Sequence, residues 1–253
     1  MLDFAGKVRS ARIDRTHLFF IGQAGVILKS ARGQLLAIDP YLSECVERAE
    51  GDTGFKRLLP KILDPYELAF DVVICTHHHL DHFDMDSVPE MMGCNTKLFC
   101  SVDCMEHVAR LQLDYHSDNI FYVKPGDHST VGDFEITFVG CDHGAAAPGA
   151  VGVVVKVDGK TIYEAGDTCL RLDRVDEIPR PLNVLIAPIN GAFGNLNEEE
   201  CAMLAECLQP SVTIPCHYGM FPSHHGDVGI FRDIMAAKKL PFLIMQYGEQ
   251  YTF

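Results

Sequence analysis

The feature that most constrains this chain is a run of four histidines and an aspartate that directly follows a short apolar segment. Residues 76–82 read Thr-His-His-His-Leu-Asp-His, and the preceding residues 71–75 are rich in β-forming side chains. Neutral imidazole suits zinc, manganese, iron or nickel, and a carboxylate adds a hard oxygen ligand. The pattern predicts a metal site at the end of a strand. The alternative is a solvated histidine-rich loop that binds metal only incidentally.

The spacing within this run indicates how the side chains divide. Because side chains alternate along extended backbone, His77 and His79 point to one side and His78 points to the other. His78 is therefore expected to be a structural or solvated residue and not a ligand. Asp81 and His82 follow the turn, where a change of chain direction aims them at a second ion.

Composition excludes several other functions. The chain has 253 residues, enough for one large α/β domain or two small ones, and 47% of them are hydrophobic. Its net charge of −14 disfavours a nucleic-acid partner, because phosphate binding requires a basic surface. No apolar run approaches the roughly 20 residues that span a bilayer, so no membrane partner is expected.

Targeting signals and cysteine usage favour the cytoplasm. The N-terminal residues 1–9 lack the charged-then-apolar pattern of a signal peptide. The ten cysteines include no Cys-x-x-Cys pair, and several fall in predicted strands or helices. This usage favours reduced, packed thiols over a disulfide framework.

The periodicity along the chain predicts a mixed α/β fold. Residues 41–70 are irregular and contain two prolines. They are interpreted as an insertion near the site entrance. An Asp-Gly pair at 158–159 is the strongest hairpin signal. Strands are predicted at 17–21, 26–29, 35–38, 71–75, 120–123, 134–139, 151–157, 161–164, 183–188, 211–216, 242–246 and 250–253. Helices are predicted at 101–111, with Ser101 as N-cap, at 198–208 and at 227–239.

The pattern His77-x-His79-x-Asp81-His82 resembles the signature of the metallo-β-lactamase superfamily. That resemblance implies one αββα four-layer sandwich spanning residues 1–253. It also implies three more ligands at later strand ends. The matching positions are His143 after strand 134–140, Asp167 in a Gly-Asp-Thr turn after 161–165, and His217 after 211–216.

The resemblance further implies how these donors divide between two divalent ions. One ion takes His77, His79 and His143, the second takes Asp81, His82 and His217, and Asp167 bridges them. Zinc, manganese and iron all suit such a set. Each distal residue also has a plain structural interpretation, as a turn histidine, a turn aspartate or a packed histidine.

A narrower resemblance is to the L-ascorbate-6-phosphate lactonase group. It rests on Leu-Asp-Pro at 63–65, Lys-Pro-Gly-Asp at 124–127, the Gly166-Asp167 turn and Ile-Pro-x-His at 214–217. This chain is shorter, and it has His143 where the lactonase carries an arginine. His143 makes the site more similar to the ordinary superfamily pattern, as in a group of uncharacterised metal-dependent hydrolases.

These resemblances imply a hydrolase that opens a lactone or cleaves a related ester by means of a metal-bridging hydroxide. The two ions outweigh the charge of Asp81 and Asp167, which favours a small anionic substrate such as a phosphorylated sugar lactone. The alternatives are a phosphodiesterase, a thioester hydrolase of the glyoxalase II type, and a non-catalytic metal-binding protein. Related lactonases assemble, so a homo-oligomer is a further expectation.

Substrate contacts are predicted from position only. Tyr218, His224 and His225 follow the last strand-end ligand and are candidates for the pocket wall, although a plain surface turn fits the two histidines as well. Arg171 lies four residues after Asp167 and is a candidate phosphate contact, or simply an exposed arginine. Asp39 ends a strand before a proline, and it either orients the metal loop or forms a turn.

Overall fold

Two β-sheets form the centre of the structure, a computed structural model that describes residues 3–253, with the backbone alone at residues 114 and 115. The first sheet contains seven strands: β1 (His17–Gly22), β2 (Gly25–Lys29), β3 (Leu35–Ile38), β4 (Val72–Cys75), β5 (Lys97–Ser101), β6 (Ile120–Val123) and β13 (Gln250–Thr252). The second contains six: β7 (His128–Val131), β8 (Phe134–Gly140), β9 (Val151–Val157), β10 (Lys160–Glu164), β11 (Val184–Pro188) and β12 (Val212–Cys216).

The described part of the chain contains six α-helices, five of which cover the outer faces of the two sheets. The six are α1 (Phe4–Ser10), α2 (Cys45–Glu50), α3 (Ser87–Met91), α4 (Met105–Arg110), α5 (Glu198–Leu208) and α6 (Val228–Ala237). Helix α2 packs instead against Tyr41, Met220 and Phe221. Short 3₁₀ turns lie at Gly51–Thr53, Pro65–Glu67, Val102–Cys104, Leu113–Asn119, Gly144–Ala146 and Leu172–Glu177. Within residues 3–253, none of the helices is both long enough and apolar enough to cross a membrane.

The core has three buried layers, which together define the four-layer architecture. Between the sheets, Leu18 and Val26 of the first sheet belong to the same buried cluster as Val153 and Ile186 of the second. A second cluster joins the outer face of the first sheet to α1, α3 and α4, and a third joins the outer face of the second sheet to α5 and α6. The predicted αββα sandwich is confirmed.

Strand direction brings the polar strand ends to one edge of the molecule. Strands β3, β4 and β5 are mutually parallel, as are β10, β11 and β12. Strand β8 runs antiparallel to β9, which runs antiparallel to β10, so β8 and β10 point the same way. Ligands of open α/β sheets bind beyond the carboxyl ends of the strands. The residues that follow β3, β4, β8, β10 and β12 therefore converge on one site.

Most predicted elements are confirmed within a residue or two. The hairpin at Asp158 and Gly159 has φ values of 49° and 74°, the two positive values that a type I′ turn requires. The predicted helix at 101–111 begins instead as a 3₁₀ turn, Val102–Cys104, which Ser101 caps at the end of β5, and it continues as α4.

One predicted strand is wrong, and several elements were missed. Residues 242–246 form only an isolated bridge between Thr213 and Phe242, because the chain there leaves the second sheet. By Gly248 it has reached the first sheet, where the Gly248 N–H donates to the carbonyl of Phe20 at 2.8 Å. A segment that passes from one sheet to the other cannot keep regular hydrogen bonds to a single neighbouring strand. The sequence patterns did not reveal α1, α2, α3, β5 or β7.

Candidate metal centre

The loop after β4 is folded tightly enough to turn its histidines inward. The N–H groups of His82 and Phe83 both donate to the carbonyl of His79, at 2.9 and 2.7 Å. The carbonyl of Thr76 accepts from the Val151 N–H of the second sheet at 3.1 Å. The loop is therefore tied to both sheets, and its side chains have little freedom to reorient.

A first group of donors contains the side chains of His77, His79, His143 and Asp167, with ligand atoms all within 4.8 Å of one another. Nδ1 of His79 lies 2.9 Å from Nε2 of His77 and 3.3 Å from Nε2 of His143. Asp167 Oδ2 lies 3.7 Å from Nε2 of His143. Three imidazole nitrogens and a carboxylate oxygen thus face a common point.

A second group contains His82, Asp167 and His217, again within 4.8 Å. Nε2 of His82 and of His217 are 3.3 Å apart, and they lie 3.4 and 3.1 Å from Asp167 Oδ1. Asp81 Oδ2 is 3.6 Å from His82 Nε2 and 3.4 Å from His217 Nε2. Asp167 therefore directs one oxygen to each group, and all seven predicted ligands lie together.

The donors fit a divalent cation. Asp167 Oδ1 is buried without a hydrogen-bond partner, although two imidazole nitrogens lie close to it. A buried carboxylate oxygen without a partner is rare in folded proteins and indicates a missing ion or water. Imidazole and carboxylate are the ligand types of zinc, manganese and iron sites.

Protonation differs between the two groups. Burial lowers the pKa of His77 well below its ordinary value and lowers the pKa of His79 to about 4, so both rings are neutral ligands. Burial by itself also lowers the pKa of His217, but the Asp167 and Asp81 carboxylates outweigh it and raise that pKa to about 9. His82 is shifted upward in the same way.

Asp39 supports the second donor group through the ring nitrogen of His82 that does not face the other donors. It follows β3 with a φ of 46° and is fully buried. Its carboxylate accepts from the Thr76 N–H at 2.7 Å, the Thr76 hydroxyl at 2.6 Å and Nδ1 of His82 at 2.7 Å. A carboxylate behind a ligand histidine fixes its tautomer and leaves Nε2 free for the ion.

Sequence analysis missed Asp84, a buried carboxylate that orders the ends of the site loops. It accepts six hydrogen bonds: from the Leu42 and Ser43 N–H groups, the Ser43 hydroxyl, the Asp86 and Ser87 N–H groups and the Ser87 hydroxyl. It joins the start of segment 41–70 to the turn that follows His82. No local pattern marks it, because its partners lie as far as 42 residues away.

Gln23 and Glu164 were also missed. The Gln23 side chain is fully buried and donates from Nε2 to Asp81 Oδ2 at 2.7 Å. Glu164 ends β10, where Oε2 accepts from the Gly166 N–H at 3.1 Å and supports the turn that carries Asp167. Burial raises the pKa of Glu164 well above its ordinary value, which favours the neutral acid. Within its strand, Glu164 shows only ordinary alternation.

A cavity of about 640 Å³ opens onto the donor cluster. It is lined by ligand side chains, by histidines of the loop and of α4, and by residues of segment 41–70. The lining residues are Val46, Glu50, Phe55, His78, His79, Leu80, Asp81, His107, Arg110, Ala146, Asp167, Phe193, His217 and His224. Segment 41–70 thus contributes Val46, Glu50 and Phe55 to the wall.

Of the four predicted substrate contacts, the structure brings only His224 to this cavity. Tyr218 packs against Phe20, and its hydroxyl donates to the Met245 carbonyl at 3.2 Å. His225 is exposed and does not line the cavity. Arg171 is paired with Asp142 and Asp173 outside the cavity. For His225 and Arg171 this placement agrees with the alternatives of a plain surface turn and an exposed arginine, and only for Tyr218 does it differ from the expectation. Strand-end proximity in sequence does not specify the direction of a side chain.

His78 and His107 also line the cavity. His78 belongs to neither donor group, as predicted. His107 of α4 is half-buried, and its Nε2 is 2.8 Å from the His78 carbonyl. Helix α4 therefore contributes His107 and Arg110 to the cavity wall.

Comparison with known proteins agrees with this geometry. A profile of the family described as "Beta-lactamase superfamily domain" matches residues 17–217. The class of this protein is the metal-dependent hydrolases of the metallo-β-lactamase superfamily. The fold, the donor cluster and the relatives described next define this class. The chain belongs to the β-lactamase superfamily.

The relatives match over nearly their full length. A UPF0173 metal-dependent hydrolase of Thermococcus kodakarensis is 27% identical over 244 residues, covering 91% of this chain and 96% of the relative. One of Archaeoglobus fulgidus is 28% identical over 248 residues, covering 92% and 97%. Among solved structures, the metallo hydrolase Igni18 of Ignicoccus hospitalis has a TM-score of 0.71 at 23% identity, covering 94% of this chain and 98% of that one.

Proposed function

We propose that this protein hydrolyses a lactone, or a closely related ester, on a small anionic molecule. The observation that carries the proposal is the pair of adjoining donor groups that share Asp167. In this proposal, one divalent ion is held by His77, His79 and His143, and a second by Asp81, His82 and His217, with Asp167 between them. When bound, such ions lower the pKa of a coordinated water and polarise the scissile bond.

The residues around the cavity supply no rival nucleophile. Among the described residues that line it, none is a serine, threonine or cysteine. The thiol of Cys141 contacts Asp167, but burial raises its pKa well above the ordinary value and its Sγ donates to the Asp167 carbonyl at 3.0 Å. A buried thiol with a raised pKa is inert. These features support direct attack by water without a covalent enzyme intermediate.

The charge balance of the site supports an anionic substrate. The excess positive charge is smaller than a count of Asp81 and Asp167 alone gives. Asp39 contacts His82 and adds a third buried carboxylate to the site. Against two divalent ions, three carboxylates leave an excess of about one positive charge. Arg110 adds a further cation to the cavity lining, and Glu50 an anion. The apolar wall of Phe55 and Phe193 suits the carbon skeleton of the substrate.

Metal content tests the two-ion assignment. The wild-type protein is expected to hold two ions per chain after reconstitution, and His143→Ala is expected to hold one, because His143 contributes only to the first group. The activity of His143→Ala should fall by more than ~10–100-fold, which is the typical loss when a residue hydrogen-bonded to a metal ligand is replaced. Elemental analysis and turnover are the measurements.

The matched control for this variant is His128→Ala, a histidine at the exposed start of β7. It should keep both ions and full turnover. If His143→Ala also keeps two ions and wild-type turnover, His143 is a turn residue. A wild-type stoichiometry that stays at one ion or less contradicts the two-ion site altogether.

Substrate charge is tested with a matched pair of lactones. We expect kcat/KM for 6-phosphoglucono-δ-lactone to exceed that for glucono-δ-lactone by roughly 10- to 100-fold, the size of one charge-assisted contact. The difference should shrink as ionic strength rises, because salt screens the attraction. Initial rates, corrected for spontaneous ring opening, are the measurement.

A panel separates this proposal from its alternatives. Bis(p-nitrophenyl) phosphate represents a phosphodiester and S-lactoylglutathione a thioester, each assayed with zinc, manganese and iron. Equal kcat/KM for the two lactones contradicts an anionic preference. A phosphodiester or thioester turned over far faster than either lactone replaces the proposed reaction with that one.

A further inference from the structure

Gln23 occupies an unusual position at the turn between β1 and β2. Its φ is 55°, and the φ of His217 opposite is 63°, both in the left-handed region that non-glycine residues seldom adopt. The His217 N–H donates to the Gln23 carbonyl at 2.8 Å. Strained backbone of this kind persists where the surrounding structure holds it, commonly at functional sites. The bond fixes the Gln23 side chain beside the metal centre.

The side-chain amide of Gln23 has three neighbours but only two hydrogens. Nε2 lies 2.7 Å from Asp81 Oδ2 and 3.1 Å from both His217 Nε2 and His224 Nδ1. The carboxylate of Asp81 accepts only, so the NH₂ group must face it and the amide orientation is determined. One hydrogen is therefore committed to Asp81.

The second hydrogen has one available acceptor. His217 Nε2 lies 3.1 Å from Asp167 Oδ1. With an ion bound at the second donor group, the Nε2 lone pair of His217 is directed to that ion. It therefore does not accept from Gln23. His224 Nδ1 remains, so it carries no proton, and the neutral ring has its proton on Nε2.

The surroundings of His224 hold the ring in place. It stacks on His217 with ring centroids 4.4 Å apart, and the rings of Phe55 and Phe221 meet it edge-on at 5.7 and 5.2 Å. His224 lines the cavity, and its Nε2 has no hydrogen-bond partner among the described residues.

We propose that Gln23 is a positioning residue that holds His224 as the Nε2–H tautomer, and that His224 presents this N–H to the substrate as a neutral hydrogen-bond donor. The group it would bind is an oxygen acceptor in the cavity, such as a carboxylate, phosphate or ester oxygen. The tautomer rests on these distances and on an ion bound at His217, and the acceptor's identity rests in addition on the proposed function.

The tautomer is measured directly by long-range ¹H–¹⁵N NMR of the zinc-loaded, ¹⁵N-labelled protein. His224 is assigned by the signals that disappear in His224→Gln. In the wild type, Nε2 of His224 should carry the proton. Gln23→Glu puts an acceptor-only group of the same shape beside Nδ1, so that nitrogen should become protonated. Gln23→Met removes the donor without adding charge, and should give a mixture of tautomers.

The control is Gln34→Met, a half-buried glutamine just before β3 whose Oε1 accepts from the Asp133 N–H at 2.7 Å. It should leave the His224 signals unchanged. A proton on Nδ1 in the wild type, or an unchanged Nε2–H pattern in Gln23→Glu, overturns the proposal. Loss of an ion in His224→Asn overturns it as well, because Asp81, His217 and His224 also form a potential ligand group. His224 would then be a ligand.

Kinetics with 6-phosphoglucono-δ-lactone test the donor. His224→Gln keeps an N–H near the Nε2 position and should retain most activity. His224→Asn places its amide near Nδ1 and should lose roughly 10- to 100-fold in kcat/KM. Gln23→Met should cost less in the His224→Asn background than in the wild type, because coupled residues are not additive; the remaining loss reflects the bond of Gln23 to Asp81. Full additivity, or equal loss in both His224 variants, contradicts the donor role. An inactive wild type with the expected tautomer contradicts only the proposed function.

Discussion

The Asp167→Asn variant is expected to lose most of its metal and more than about 100-fold of its activity, exceeding the effect of any residue behind the ligands. The reason is geometric. Asp167 directs Oδ2 toward the first donor group and Oδ1 toward the second, at 3.7 Å from His143 Nε2 and 3.1 Å from His217 Nε2. An amide keeps the shape but removes the charge, and it offers an N–H to one of the two ions. Metal stoichiometry and turnover measure the loss.

Asp142→Asn is the matched control for that variant. Asp142 lies close in sequence and pairs with Arg171 at the surface, outside both donor groups. It should keep two ions and near wild-type turnover. If Asp167→Asn behaves in the same way, Asp167 is an ordinary turn aspartate and the shared-carboxylate site does not exist.

Asp84→Asn is expected to destabilise the fold strongly, although Asp84 lies outside the donor groups. Six N–H or O–H groups donate to this buried carboxylate. An amide has one acceptor oxygen, and its NH₂ group would face donors. We expect the free energy of unfolding to fall by about 3 kcal/mol or more. For a chain of this length, that lowers Tm by roughly 6–12 °C.

The measurement is thermal unfolding of the metal-free protein, because bound ions would add their own stabilisation. Asp127→Asn is the control, since Asp127 accepts a single side-chain hydrogen bond, from the Lys124 N–H at 3.0 Å. Its Tm should change by no more than a degree or two. A Tm for Asp84→Asn that matches this control would show that the hydrogen bonds of Asp84 contribute little net stability.

The seven ligand positions were within reach of the sequence because each lies at or soon after the end of a predicted strand. His77 and His79 are two residues apart on extended backbone, and period-two geometry predicts that they face the same way. His143, Asp167 and His217 have no such internal signal, and the superfamily resemblance supplied them. The structure places all of them in the two donor groups.

The remaining polar contacts depend on residues distant in sequence. Gln23 meets Asp81 across 58 residues and His224 across 201, and Asp84 meets Leu42 across 42. A pattern search within a window of one helix or strand contains no information about such pairs. The same limit explains why the sequence left open whether Arg171, which is only four residues from Asp167, contacts the substrate or is an exposed arginine.

The sequence by itself determined the chemistry of the site and the order in which its donors arrive, because ligand type and strand-end spacing are local properties. It also determined the αββα class, through the superfamily resemblance and the alternation of the strands. Only the tertiary structure decided which donors meet, which of the flanking side chains reach the cavity, and which buried partners fix their tautomers. Those outcomes depend on strand order and direction in two separate sheets, which bring together residues such as Gln23, Asp81 and His224 that no local pattern connects.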